Sequence, residues 1–334
     1  MKAAKPTIYD RLYDWAPIAI IMLGIALRLV VYINNRCLWT DEVAIALNIA
    51  EKNFLALAQA LDYKQYAPPI FMWLVKTCTL LFGYGEKALR LYPLLSGIGA
   101  LIIFSKVLKQ HIDAKAGWYP MLIFATGIFF LRYSTELKQY MPDALISLVI
   151  IWQAKHIDIT QTKPRRFALI WLLTGSVAVW SSMPSVFVLA GVGCYYGFIC
   201  LQHRNYKLLL NMCLIAIVWV VQFSIYYYTI LDNQIQSSYL ASYHQQYFLR
   251  MPHYTDDVAK NYDVIQAILQ NAMGGNPYIF MVNKILMLLG IIVLIIKKRA
   301  DALLLLLPVL LMLFAALIKQ YSLILRLTVF SMPV

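Results

Sequence analysis

The sequence predicts an all-α polytopic membrane protein, and three observations carry that reading. Hydrophobic residues make up 61% of the chain and charged residues 13%, with a mean hydropathy of +0.66, whereas soluble domains are about half apolar and a quarter charged. The apolar residues come in repeated runs of roughly 17–22, the length a helix needs to cross a ~30 Å hydrocarbon core. Lysine and arginine gather in five clusters between those runs, and one assignment of all five to the cytoplasm gives a consistent topology.

Taken in order, the basic clusters are Lys2, Lys5 and Arg11; Lys106, Lys109 and Lys115; Lys155, Lys163, Arg165 and Arg166; Arg204 and Lys207; and Lys297, Lys298 and Arg299. With the N-terminus inside, helices are expected over 16–34, 88–108, 117–133, 141–157, 167–181, 184–201, 208–229, 278–296 and 301–318. A tenth is expected to begin near Leu325 and to be cut off at Val334, as in a piece of a longer protein. The run from Ala16 to Ile33 exceeds the apolar region of a secretory signal and lacks a small-residue cleavage site, so it reads as a retained helix. No soluble domain or internal repeat stands out, which predicts one transmembrane domain over 1–334. Four cysteines fall in apolar runs and only Cys37 reads as loop-exposed, so neither a disulfide framework nor a zinc site is expected. The formal charge of +13 reads as anchoring at anionic headgroups, not as nucleic-acid binding.

This topology leaves 35–87 and 230–277 as long outer segments. In the first, Val43, Leu47, Ala50, Phe54, Leu57 and Leu61 recur at helical spacing, with Asn48, Lys52 and Gln59 on another face, which predicts a helix lying on the membrane surface. A second piece, "APPIFMWLVKTCTLLFG", opens with Pro68-Pro69 and carries Lys76 mid-way. Proline suits a first helical position, and the piece is short for a span, so it is expected at the interface or half-inserted.

Asp41 and Glu42 follow Thr40, a good N-cap, so they occupy a first helical turn, where the helix dipole stabilises acids by ~0.3–1 kcal/mol. The same account fits Asp143 after Pro142. Yet Asp41, Glu42, Glu136 and Asp143 all fall at outer helix boundaries in a chain with few acids, accompanied by Lys64, Arg132, Lys138 and several tyrosines. Carboxylates gathered with cations at one boundary suit a reaction there. An ion path would place its acids near the bilayer midplane.

Three stretches carry a family resemblance: "LWTDE", "YAPPIFMWLVKTCTLLFGYGEKALRLYPLLSGI" and "YSTELKQYMPDALI". Their order and spacing resemble the GT-C glycosyltransferases, nearest to family 39, the protein O-mannosyltransferases and the aminoarabinose transferases that modify lipid A. "RLTVFSMPV" is similar to that family's later arginine-led helix. The resemblance implies a GT-C-type helix bundle with amphipathic surface helices in its first outer loop. It implies sugar transfer with inversion from a polyprenyl-phosphate donor, outside the cytoplasm, in a membrane such as the bacterial inner membrane. Asp41 matches the family's proposed base, with Glu42 beside it; Asp143 matches the acid opening helix 4, and Glu136 the glutamate of a "YSxE" variant. One departure is Ala67, which stands where many members have His or Lys before the proline; Lys64 is one turn away.

The chemistry asks for a base to take the acceptor's proton, worth ~10²–10⁴-fold, and for cations aimed at the departing phosphate. Asp41 is expected as the base and Lys64, Lys138 and Arg326 as phosphate ligands, Arg326 being suited to bidentate contact. A divalent metal ion held by Asp41, Glu136 or Asp143 would do the same work, and sequence leaves that open. Glycolipid, polysaccharide and protein acceptors all stay open. The rival class is a transporter or flippase of lipid-linked sugars, which would show paired repeats and helices broken at the midplane; neither reads from the sequence. Arg28 is expected to snorkel to the interface, Lys284 to snorkel or line the cavity, His244 and His253 to lie on the surface, and Tyr226, Tyr227 and Tyr228 to mark an interfacial belt.

Overall fold

The computed structural model describes residues 8–112, 116–159, 161–231 and 243–333, so Lys2, Lys5 and Lys115 of the basic clusters lie outside it. Helices form all the regular structure among the described residues. In chain order these are α1 (Ile8–Ile33), α2 (Thr40–Glu51), α3 (Pro69–Phe82), α4 (Glu86–His111), α5 (Trp118–Thr126) and α6 (Ile128–Tyr133). They continue as α7 (Tyr140–His156), α8 (Pro164–Ser181), α9 (Ser185–Gln202), α10 (Tyr206–Tyr226), α11 (Thr255–Met273), α12 (Pro277–Lys297) and α13 (Arg299–Leu317). A 3-10 stretch, Leu325–Ser331, stands where a tenth spanning helix was expected to begin.

Among the described residues six helices are long and apolar enough to cross a membrane: Trp15–Ile33 of α1, α4, α9, Tyr206–Ile230, α12 and α13. The protein is therefore an integral membrane protein. The helix α7 runs through the middle of the bundle, packed on α4, α9, α8 and the 3-10 stretch. It is buried on most of its circumference, from Tyr140 through Ala154, which is why no polar face shows in its sequence. On one side α1 packs against α4 and α5; on the other α9 meets α13, and α8 meets α10.

The expected single helix over 117–133 is broken. It divides at Gly127, whose φ of −60° and ψ of 123° leave helical geometry. A Cβ there would come within 2.8 Å of the Ile123 carbonyl oxygen, so only glycine makes this turn without displacing backbone. The break frees the carbonyls of Phe124 and Ala125, and Arg28 takes both, at 3.2 and 3.1 Å. The expectation that Arg28 snorkels is thus corrected: its side chain is fully buried. It also donates to Ser134 Oγ at 3.1 Å and to Gly24 O at 3.0 Å.

The six apolar positions read as one helical stripe are divided, because α2 ends at Glu51, and Leu57 and Leu61 beyond it are buried. The stripe Val43, Leu47 and Phe54 is exposed, while Ala44, Ile45, Ala46 and Ile49 of α2 are buried against Phe71, Met72 and Val75 of α3, Leu89 of α4 and Leu137. Asn48, placed on the polar face, is fully buried. Its amide accepts from Asp62 N at 2.9 Å and donates to Ala44 O and Asp62 O, so it supplies the hydrogen bonds that the following loop lacks. Lys76, mid-way along α3, donates to Ile49 O at 2.7 Å and places its charge at the C-terminal end of α2, where the dipole favours a cation.

Candidate active site

Helix α2 begins one residue earlier than its sequence suggests: Trp39 is the N-cap and Thr40 the first helical residue. The Trp39 N–H donates to Glu42 Oε2 at 3.4 Å, the reach-back half of a capping box. Asp41 and Glu42 then point to different surroundings, and those surroundings separate their roles.

Glu42 is fully buried and its oxygens are saturated. Oε1 accepts from Arg90 Nε at 3.0 Å and from the Leu137 N–H at 2.8 Å. Oε2 accepts from Arg90 Nη2 at 2.8 Å, with Arg36 Nη2 at 3.5 Å. A carboxylate holding a bidentate arginine and a backbone N–H ties three elements together: α2, α4 and the turn 134–139. Arg90 and Arg36 were missed in the sequence reading. An arginine inside the otherwise apolar "KALRLYPLL" of a spanning helix was the available signal, since such a charge needs a partner.

Asp41 is one-third exposed on its side chain and meets Arg326 Nη1 at 2.8 Å, across 285 residues of sequence. The Arg326 guanidinium lies 6.0 Å from the Trp39 ring centroid, and that of Arg132 lies 5.8 Å from it. Glu136 is buried, with Arg36 Nη2 and Arg132 Nε both at 3.6 Å and no direct hydrogen bond. Burial and the neighbouring Glu42 charge raise its carboxyl above the usual range, against the pull of Arg132 and Arg36. Lys138 is 4% exposed and donates to Gln65 Oε1 at 2.6 Å. Burial pushes its ammonium down to about 8, although Asp41 and Glu136 draw it up. Alongside, an open cavity of about 470 Å³ is lined by Thr40, Val43, Leu47, Tyr63 and Gln65, so the exposed apolar side of α2 leads toward the charged cluster.

The structure brings Asp41, Glu42, Glu136, Lys138 and Arg326 to one end of the bundle. Lys64 is exposed on the loop between α2 and α3, with a left-handed φ of 54°, and Tyr63 before it has φ 59°. Asp143 stands apart, buried in the first turn of α7 beside Ser182. The hydroxyls of Tyr66 and Tyr226 hydrogen-bond to one another, and both rings share Asp143's surroundings. Tyr226 is therefore a buried residue and not part of an interfacial belt, whereas Tyr228 is exposed. The nitrogen of Lys284 lies over the Tyr262 and Phe280 rings at 5.9 and 5.3 Å.

Among the described residues no three of His, Cys, Asp and Glu gather as metal ligands. Asp41 and Glu136 face arginines, a setting that disfavours a further cation.

This bundle has the GT-C fold seen in ArnT. A crystal structure of ArnT from Cupriavidus metallidurans bound to undecaprenyl phosphate superposes with a TM-score of 0.55 at 15% identity, covering 94% of this chain and 58% of that one. The apo ArnT structure gives 0.53 at 16% identity, covering 94% and 57%. The chain thus spans somewhat more than half the length of ArnT. No protein-family model matches the sequence, and no curated protein does. The likeness to ArnT concerns the arrangement of the helices.

Proposed function

We propose that the protein is an inverting glycosyltransferase that moves a sugar from a polyprenyl-phosphate donor to an acceptor hydroxyl on the extracytoplasmic side of the membrane, as family 39 members of the GT-C group do. The observation that carries this reading is the Asp41–Arg326 pair at 2.8 Å, a carboxylate and a guanidinium presented together at the end of a bundle folded like ArnT. The crystallised ArnT is described as bound to undecaprenyl phosphate, the donor's carrier in this proposal.

The donor is a phosphodiester with one negative charge. Asp41 takes the proton of the acceptor hydroxyl as that oxygen attacks the anomeric carbon from the face opposite the phosphate. The carbon–oxygen bond to the phosphate breaks, its electrons stay with the phosphate oxygen, and the leaving polyprenyl phosphate gains a second charge. Arg326 and Lys138 meet that developing charge, Arg326 through a planar fork that matches a phosphate. In this structure Arg326 occupies the Asp41 carboxylate, with Nη1 on Oδ2 at 2.8 Å. A phosphate that draws the guanidinium away frees the carboxylate, so donor arrival and base activation are linked. Glu42, saturated by Arg90 and Leu137 N, holds the site in place, and Glu136 fixes Arg36 and Arg132 around it.

The deciding experiment incubates purified protein with synthetic polyprenyl-phosphate sugars and a panel of glycolipid, polysaccharide and peptide acceptors, reading glycosylated product by mass spectrometry. Asp41→Asn keeps the size and the helix turn but cannot accept a proton, so transfer falls by a factor of ~10²–10⁴. Near-normal turnover by Asp41→Asn removes the assignment. Movement of the lipid-linked sugar across a vesicle membrane with no acceptor modified identifies a flippase instead.

A further inference from the structure

At the end of the bundle away from Asp41, a second feature stands unclaimed. The C-terminal ends of α8 and α10 lie at the site end, Ser182 beside Asp143 and Tyr226 against Tyr66. Their first turns are therefore some ~27–30 Å away at 1.5 Å per residue. Between those first turns is an open cavity of about 670 Å³. Lys163, Arg165, Lys207 and Asn211 line it, over a floor that includes Leu214 and Ile215.

What sets Lys163, Arg165 and Lys207 apart at that end is that they line one cavity; three of their basic neighbours are engaged elsewhere. Lys155 is held by Asp301 at 2.8 Å, Lys298 donates to His111 O at 2.9 Å, and Lys106 lies 5.1 Å from the Trp152 ring centroid. Among the described residues, Lys163, Arg165 and Lys207 have no ion-pair or hydrogen-bond partner, and all three are exposed. Three unneutralised cations around one hollow repel each other until an anion arrives. The surrounding surface specifies what kind of anion. Leu173 of α8 and Ile217 of α10, 57% and 56% exposed, continue the apolar floor along the flank of the bundle that faces hydrocarbon. A ligand that fills this site has a phosphate at one end and acyl chains at the other.

We infer that the α8–α10 cavity is a binding site for the headgroup of an anionic glycerophospholipid, with Arg165 gripping the phosphate as a fork, Lys163 and Lys207 as point charges, and Asn211 as an uncharged donor. The acyl chains run along the exposed leucine and isoleucine side chains. The site is independent of the transferase reading and stands or falls without it.

Native mass spectrometry of the full chain, released from detergent with graded phosphatidylglycerol or phosphatidylcholine, tests this directly. Wild-type protein retains phosphatidylglycerol in preference to phosphatidylcholine. The triple variant Lys163→Gln, Arg165→Gln, Lys207→Gln binds phosphatidylglycerol at least ~10-fold more weakly. A matched triple variant, Lys106→Gln, Lys109→Gln, Lys297→Gln, removes the same charge from the same end and leaves retention unchanged. Thermal melting in detergent confirms that both variants are folded. Equal loss in the two variants means diffuse surface charge and overturns the site. Displacement of the lipid by millimolar sn-glycerol 3-phosphate, which has the phosphate but no acyl chains, also overturns it, because the site would then belong to a soluble anion.

Discussion

Asp41 and Glu42 are adjacent in sequence, share a helical turn, and have opposite fates. Glu42 gives up all its acceptor capacity to Arg90, Arg36 and the Leu137 N–H, whereas Asp41 has one partner and partial exposure. Two substitutions separate them. Glu42→Ala strands the buried Arg90 guanidinium, and breaking a buried pair by removing one partner costs about 3–5 kcal/mol; its melting temperature in detergent therefore drops well below that of wild type. Asp41→Asn, at a more exposed position, melts near the wild-type temperature while losing transfer. Arg326→Lys keeps the charge and loses the fork, so donor affinity weakens, and Arg326→Ala nearly abolishes it; an unchanged dissociation constant for Arg326→Lys takes Arg326 out of the phosphate site. Lys138 adds a pH dependence. Its ammonium titrates near 8 in the folded protein, below the ordinary lysine value near 10.5, so the unfolded chain holds the proton more tightly. Stability thus rises with pH from about 8 to 10.5, while the cation offered to the phosphate is lost over the same rise. Donor binding accordingly falls above pH 8, and Lys138→Arg removes that alkaline limb in a binding titration.

The elements show which features of a helical membrane protein are legible in a linear sequence. Spans and basic clusters are readable because each is a local run: α4, α9, α12 and α13 lie within a few residues of their expected bounds. The stripe of α2 shows one of two apolar faces, one toward protein and one toward lipid, and Asn48 at the buried face looks like a solvated residue until its loop partner is known. The Gly127 break and the interior position of Arg28 depend on one another across about a hundred residues, beyond the reach of any window. That coupling has a measurable consequence. Arg28→Met leaves the Phe124 and Ala125 carbonyls and Ser134 Oγ without their donor, and a buried group stripped of its partner costs about 1–3 kcal/mol. A lower melting temperature follows. Gly97→Ala reaches the same point from α4, since its Cβ would overlap Ser134 Oγ and lie 3.4 Å from Arg28 Nε. If either variant melts with wild type, Arg28 is not what holds the α5–α6 break against α1.

Across the whole molecule, charge is divided between two ends of the bundle. At one end stand the carboxylates and arginines around Asp41; at the other, Asp301 joins α13 to α7 and α4 through Lys155 at 2.8 Å and His111 Nδ1 at 3.4 Å. The 26 residues of α4, about 39 Å at 1.5 Å each, separate Glu86 from His111 and are enough to cross a hydrocarbon core. The proposed extracytoplasmic transfer requires the Asp301 end, richer in lysine and arginine, to be cytoplasmic and the Asp41 end to face out. Cys37 provides a native reporter, since it is exposed in the stretch before α2. In a background lacking the other four cysteines, a membrane-impermeant maleimide added to intact cells labels Cys37, and in a cysteine-free background it labels a cysteine placed at Gln245. Cysteines placed at Arg165 and Lys298, both exposed, react only after the membrane is permeabilised. Labelling of positions 165 and 298 in intact cells with 37 protected reverses the orientation and with it the proposed side of transfer, while protection of 37 with labelling of 245 breaks the two-ended architecture itself.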